Sequence, residues 1–237
     1  MNKNFKIFLG LVYLSVLIIF LYLIFVNIQI NRLNDFTYYK ELQIIAENFM
    51  SKNFLINVFL FSIFTIIWVF LLGFGSPILL LAGILLGKWI GTIVAVFSMS
   101  LGALALYTTA NFFFRETIKE LLWKKYFKYI QLFQKNEFNY YFIYRIVGGL
   151  GLPFFLQNLL PVLFNMKKSN YFFSSFFGFI PGVFIFCSVG NGINIFIQQA
   201  NNFSLLQLIT LPEIYQPIFM FLVLIVLSFL IKKKFFK

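Results

Sequence analysis

A chain of 237 residues can bury a sizeable core, yet this one is 61% hydrophobic and only 11% charged, where a soluble domain carries about 25% charged residues; the composition is that of an integral membrane protein. Its net charge of +12 comes from Lys and Arg at the ends of hydrophobic runs, which reads as topology determinants and contacts to anionic lipid headgroups rather than as a nucleic-acid surface. With no His, and Cys187 as the single Cys, the chain has no intrachain disulfide, no Cys- or His-rich zinc, haem or iron–sulfur site, and no Cys–His or Ser–His catalysis.

Lys3 and Lys6 precede an apolar run over about Ile7–Ile30. The run is long enough to span a bilayer and no small-residue cleavage site follows, so a retained membrane helix is expected rather than a cleaved signal peptide. Residues 31–53 are polar, with Phe36, Tyr39, Leu42, Ile45, Ala46 and Phe49 at helical spacing. That pattern fits an interfacial amphipathic helix or a solvated linker helix equally. Phe54–Leu72 reads as a second span, ended by the breaker Gly73-Phe74-Gly75-Ser76-Pro77. From Ile78 to Phe114 only Lys88 interrupts the run with a charge. Two spans and a turn need roughly 40 residues, so a short re-entrant piece followed by one span fits better. Lys88 would then mark a hairpin tip at headgroup level.

Residues 115–137 form the most basic internal loop, with Arg115, Lys119, Lys124, Lys125, Lys128 and Lys135, and carry an apolar stripe of Ile118, Leu121, Leu122, Tyr126, Tyr129, Ile130 and Phe133. Phe138–Met166 is apolar but broken by Gly148-Gly149-Leu150-Gly151-Leu152-Pro153 and by Pro161, and Lys167 and Lys168 follow. Tyr171–Ile197 is a span containing Pro181; residues 198–212 carry no Lys or Arg; Ile214–Ile231 is a last span closed by Lys232, Lys233, Lys234 and Lys237. The positive-inside rule puts the 115–135 loop, the Lys167/Lys168 turn and the C-terminus in the cytoplasm. Residues 138–166 must then be re-entrant. The side of the N-terminus stays open.

All glycines but Gly10 fall between Gly73 and Gly192. Gly83, Gly87 and Gly91 follow Pro77 at four-residue spacing, and Gly178, Gly182 and Gly190 follow Pro153 at multiples of four. Such stripes let helices approach closely, and each half reads as a broken piece followed by a small-residue span. Halves entering from opposite sides would form an inverted repeat, a recurring transporter plan. Ordinary tight packing explains the stripes as well.

All seven acidic residues lie in loops or at span edges, which argues against simple proton coupling. Arg145 stands directly before the glycine break with no buried acid nearby in sequence. It needs water, backbone carbonyls or an anion such as a lipid phosphate, which guanidinium binds in a bidentate way; the plain alternative is snorkelling near the surface. Arg115 reads first as an anchor at a span end. Gln157, Asn158 and Asn191 stand near the breaks, where they could satisfy backbone groups or touch a headgroup. No nucleophile–base pair and no metal-ligand cluster is visible, so no enzyme, cofactor or metal is expected.

The ordered set Ser76-Pro77, Ala82-Gly83, Gly87, Gly91, Gly102 and Phe114-Arg115 resembles the first half of the DedA-like VTT domain of the SNARE-associated Golgi protein superfamily. Arg145, Pro153-Phe154, Asn158, Phe176, Gly178, Pro181 and Gly190 resemble its second half. The resemblance implies two facing re-entrant helices, and members are linked to lipid scrambling, translocation of undecaprenyl phosphate or phospholipid, and membrane homeostasis. It implies that Arg145 is the arginine of the second re-entrant element. The acid of the DedA branch's first re-entrant element is missing near Ser76-Pro77, and its second arginine is replaced by Gly149 and Gly151, which puts the chain closer to the branch with eukaryotic Golgi relatives.

The resulting expectation is an all-α polytopic membrane protein with five to six transmembrane helices and two re-entrant elements. It divides into 1–72 (first helix, polar segment, second span), 73–192 (core) and 193–237 (last span, basic tail). It would move a phospholipid or lipid phosphate across the cell (inner) membrane, contacting lipid through Arg145, Pro153, Asn158, Ser76, Pro77 and Arg115. A small-solute transporter and a non-transporting organiser are the other readings. Membrane lipids are the expected partners, nucleic acid is not, and a homo-oligomer is left open.

Overall fold

The computed structural model describes residues 11–15, 18, 19, 22, 26, 32, 35–71, 73–200 and 202–235, with backbone alone at 117–129, 132, 150, 151, 227–229 and 231–235. The first hydrophobic segment, Ile7–Ile30, lies largely outside the described residues, as do Lys3, Lys6, Lys237, the side chains of Lys232, Lys233 and Lys234 and most of the 118–133 apolar stripe. Among the described residues the chain is helical and contains no strand. It forms two compact units, 1–42 and 43–237. In the first, Arg32 pairs with Asp35 and Glu41, and the Asp35 carboxylate accepts from the Thr37 backbone N–H and hydroxyl.

The second unit is built from long apolar helices, the form in which a chain in hydrocarbon satisfies its own backbone. Helix α1 (Phe36–Lys52) ends in it and is bent by 114° from α2 (Phe54–Phe70). The Asn57 side chain, donating to the Phe49 carbonyl, closes the corner. The 17 residues of α2 reach about 25 Å at 1.5 Å per residue, short of the roughly 30 Å hydrocarbon core. Next come α3 (Gly75–Lys135), α4 (Glu137–Ile146), a 3-10 turn Gly148–Gly151, α5 (Phe154–Leu159), a 3-10 turn Leu160–Phe164, α6 (Lys168–Gln199), α7 (Leu205–Thr210) and α8 (Pro212–Phe235).

Helix α3 is two arms. Gly87, at φ 72° and ψ 176°, is outside helical geometry, and the chain folds back there. A Cβ on Gly91 would stand 2.6 Å from the Ala82 carbonyl oxygen, and one on Gly75 would stand 3.7 Å from the Met99 methyl; along a straight helix Ala82 and Gly91 would be about 13.5 Å apart. The positive φ of Gly87 is one that only glycine adopts cheaply. The first arm runs beside α6: Leu79 shares a cavity wall with Val183 and Phe186, and a Cβ on Gly83 would collide with the Cys187 carbonyl. The second arm, from 88 to about Glu116, makes a full span.

These contacts bear on the reading of Phe54–Leu72 as a span, since α1 and α2 together are a broken span or a re-entrant loop. Glu47, one helix before α2, accepts from Gln198 at the C-terminal end of α6 (2.6 Å), so α2 starts at that end. Its last turns lie beside the middle of the second arm, where a Cβ on Gly102 would sit 2.7 Å from the Ile66 carbonyl and 2.9 Å from Val69. After the break at 71–75 the first arm of α3 returns to the starting end. Phe54–Phe70 and 75–86 thus form two limbs of a hairpin. Apolar length alone does not separate a hairpin limb from a span; the Gly73–Pro77 break is the turn between the two limbs.

The second half repeats this plan from the opposite end. Helix α4 enters, the chain breaks at 147–153, α5 and the following 3-10 turn return, and α6 spans. Both ends of the hairpin meet at Glu137: its carboxylate accepts from the Lys167 N–H (3.2 Å to each oxygen) and from Asn170 Nδ2 (2.6 Å). A buried carboxylate thereby caps α6, which has no acid in its own first turn and presents a positive dipole end there. Gln134 donates to the Phe164 carbonyl (2.9 Å), Asn111 to Asn165 (3.4 Å), and Tyr107 stacks on Tyr171 at 4.6 Å. Arg115, Lys135, Lys167 and Lys168 therefore gather at one end. Helix α8 starts at the other, where a Cβ on Gly192 would be 2.9 Å from the Glu213 carbonyl, and runs back past Phe186 at Phe221. Helix α6 continues through Pro181.

Among the described residues two helices are long and apolar enough to cross a membrane, Gly75–Glu116 and Lys168–Gln199, or three if α1 and α2 count as one bent span. The described apolar part of the last helix is Pro212–Val226, shorter than the Ile214–Ile231 run.

Gly91 and Gly182 give opposed predictions. Gly91→Val forces a side chain into the Ala82 carbonyl and is expected to cost about 2 kcal/mol or more, read as a lower midpoint of thermal unfolding in detergent. Gly182→Ala, which meets nothing within 4 Å, is expected to leave that midpoint unchanged.

Candidate functional site: a buried arginine between two helix breaks

The two breaks face each other. A Cβ on Gly75 would lie 3.6 Å from the Phe154 ring, and between the hairpins is a cavity of about 620 Å³. The first hairpin contributes Ser76 and Leu79, the second Arg145, Gly148, Phe154 and Gln157, α6 contributes Gly178, Phe179, Gly182 and Val183, and α8 contributes Phe221 and Ile225. None of the described lining residues is acidic.

Arg145, in the last turn of α4, is 4% exposed. It is therefore not a snorkelling surface residue. Close packing on α6 fixes its height: a Cβ on Gly178 would collide with the Arg145 Cβ, so only glycine lets α4 approach there. Its guanidinium lies over the rings of Phe179 (4.6 Å), Tyr141 (4.7 Å) and Tyr171 (5.8 Å). Nη2 donates to Asn158 Oδ1 (2.6 Å) and to the Tyr171 hydroxyl (3.2 Å), and Nη1 faces Gln157 Oε1 at 3.5 Å. Nε has no partner. Every acceptor is a neutral amide or phenol, so hydrogen bonds hold the charge in place without cancelling it. A buried guanidinium without a carboxylate costs several kcal/mol and favours an anion at its open edge.

Gln157 holds the break. Its Nε2 donates to the carbonyls of Leu152 (2.7 Å) and Gly148 (3.2 Å), supplying the hydrogen bonds that the interrupted helix lacks. Gly148 and Gly149 both have φ 68°, and a Cβ on Gly149 would collide with the Gln157 amide. The Tyr141 hydroxyl donates to the Gln157 carbonyl (2.9 Å), and the Tyr171 hydroxyl to the Asn158 carbonyl (3.3 Å).

Of the residues singled out from the sequence, Arg145 and Ser76 share the cavity and Asn158 holds Arg145 from behind. Pro77 and Pro153 are exposed and off the wall: Pro77 sits in the first turn of α3, and Pro153 is the residue before α5. Arg115 is exposed at the basic end, away from the cavity. Gly83, Gly91, Gly178 and Gly190 lie against a neighbouring backbone or side chain, Gly190 against the Leu80 carbonyl, and Gly87 turns the chain beside Asn191. Gly182 departs from the packing stripe and opens onto the cavity. Tyr141, Tyr171 and Phe179 around Arg145, and Glu137 at the hairpin root, were not foreseen. Nothing local distinguishes those rings among 37 Phe and 12 Tyr.

Gln157→Leu would leave the Gly148 and Leu152 carbonyls unpartnered. The expected loss is about 1–3 kcal/mol, seen as reduced thermal stability in detergent; an unchanged midpoint would show that other groups hold the break.

A family model described as the VTT domain matches residues 71–192, just over half of the chain, taking in both breaks, Arg145 and α6 as far as Gly192. No curated protein and no solved structure matches the chain. The facing hairpins and the matched segment lead to one conclusion: this chain belongs to the VTT-domain family, the domain of DedA and SNARE-associated Golgi proteins.

Proposed function

We propose that the protein moves a phospholipid or another lipid phosphate across the bilayer, as a scramblase does. The observation that carries this is Arg145: a guanidinium 4% exposed, held only by neutral acceptors, on the wall of a cavity between two helix breaks. A lipid phosphate supplies the missing negative charge in a water-poor site, where charge-assisted hydrogen bonds are strongest. The headgroup crosses by passing from one hairpin turn to the other, each turn reaching mid-depth from its own side. The described lining lacks a carboxylate to carry a proton, which favours movement down the lipid's own gradient.

In this reading the chain is a multi-pass protein of the cell (inner) membrane. The first hydrophobic segment and the last helix add to the spans already described, toward the five to six expected. The end bearing Arg115, Lys135, Lys167 and Lys168 faces the cytoplasm, and α8 brings the C-terminus to the same side. The partners are anionic membrane lipids; the chain is not an enzyme and uses no cofactor. A second reading, a transporter of a small solute or ion, is favoured by the inverted arrangement of the hairpins, which is also a carrier plan.

The test is dithionite quenching of a fluorescent phospholipid in vesicles containing the purified protein. Quenching well beyond the outer-leaflet fraction supports lipid movement, while a halt at that fraction with folded protein shifts the function to solute transport. Arg145→Gln is expected to slow the movement about 10- to 150-fold, the equivalent of the 1.5–3 kcal/mol typical of hydrogen bonds to a charged group. A folded Arg145→Gln protein at full rate would remove Arg145 from the mechanism.

A further inference from the structure

The cavity reaches the surface of the second unit. Five of its lining residues are also exposed: Ser76 and Gly148 at the two breaks, and three apolar ones, Phe74 at the first break (67%) and Phe221 and Ile225 on α8 (39% and 37%). An apolar side chain that lines a cavity and also meets the surroundings marks an opening. The cavity wall sits near the middle of α6. Gly182 on the cavity wall stands about 21 Å from the Lys168 end of α6 and about 26 Å from the Gln199 end, at 1.5 Å per residue. Water is scarce at that height and the neighbouring medium is hydrocarbon.

The lining changes character from the opening inward. The exposed part of the wall is mostly apolar, with Phe74, Phe221 and Ile225 beside Ser76, whereas Arg145 and Gln157 on the second hairpin are buried. The gradient matches an amphiphile with its anion at Arg145 and its chain pointing out to the bilayer. A water-soluble anion gains nothing from such a wall and would meet the mostly apolar opening from the wrong medium. A cavity of about 620 Å³ is of ligand-binding size.

We infer that the gap between Phe74 and the Phe221–Ile225 stretch of α8 is a lateral portal that holds one hydrocarbon chain of a lipid while its phosphate sits at Arg145. The inference rests on the lipid reading above and adds where the chain goes and how the lipid enters. Substrate comes sideways from the bilayer core, and headgroup charge and tail are read at separate places. Unsubstituted phosphate then binds weakly, because most of the cavity wall stays uncovered.

The experiment uses the full-length protein in phosphatidylcholine vesicles with a trace of phosphatidic acid carrying a diazirine near the end of one acyl chain. The control probe is a diacylglycerol with the same chain and no phosphate. After illumination, labelled residues are located by mass spectrometry. The expected result is at least threefold heavier labelling of Phe74 and of 221–225 by the phosphate-bearing probe. Arg145→Gln should abolish that preference, and Ile225→Trp, which narrows the opening without touching Arg145, should lower labelling by both probes. Equal labelling by the two probes in the wild-type protein overturns the portal, as does labelling that Ile225→Trp leaves unchanged. Preferential labelling without transbilayer movement keeps the portal and removes the transport reading. Transbilayer movement with equal labelling does the reverse.

Discussion

A peptide group freed from a helix inside hydrocarbon costs several kcal/mol unless something hydrogen-bonds it, and this chain interrupts its helices twice at mid-depth. The rest of the molecule follows from how those two interruptions are supported. At the first, the Gly73 N–H reaches back to the Trp68 carbonyl (2.8 Å) and the Trp68 indole donates to the Phe74 carbonyl (2.8 Å). At the second, one glutamine side chain supplies both amide hydrogens to open carbonyls. The first solution uses an aromatic residue of the same limb. The second borrows a residue from the returning limb, so the second break is sound only while its hairpin is closed.

That difference makes the two halves unequal despite their shared plan. The first hairpin offers the cavity Ser76 and apolar wall; the second brings Arg145 and Gln157. The site therefore carries one cation placed by one half, and a close-packed surface placed by the other. Glycines set the distances: Gly178 admits α4 beside α6, and Gly83 and Gly190 admit the returning limb of the first hairpin. A methyl group at Gly178 would push Arg145 away from its ring partners on α6. The small-residue positions thus act on the chemistry indirectly, through the height and depth of one guanidinium.

Much of the fold was legible because membrane helices declare themselves by length and apolarity, and breaks by Gly and Pro. The expectation that 138–166 is re-entrant came from basic residues at both of its ends, with Gly and Pro to supply the bend. The structure brings those two ends together at Glu137 and Lys167. At the first hairpin the sequence is mute, because 17 apolar residues look the same whether they stop partway or go through; where that limb lies is set by contacts such as Glu47 with Gln198 and Ile66 with Gly102. Arg145 stood out in the sequence as a charge in an apolar run. Its aromatic surroundings did not, since rings supplied by α4 and α6 meet only after folding, and a Phe-rich chain gives no contrast against which to see them.

Glu137 shows why an edge charge can matter to a distant site. It is buried, and its contacts are the backbone N–H of Lys167 and the amide of Asn170, not a cation. A carboxylate in that position both completes the first turn of α6 and fixes where α4 starts against it. Arg145 is two helical turns further along α4 (about 12 Å at 1.5 Å per residue), and Gly178, its packing partner, is a similar distance along α6 from Asn170. Two helices aligned at one end by a buried hydrogen-bonded anion, and at the other by a glycine that admits only close approach, have little freedom to slide. The arginine keeps its place because the contacts at Glu137 hold the register of α4 against α6.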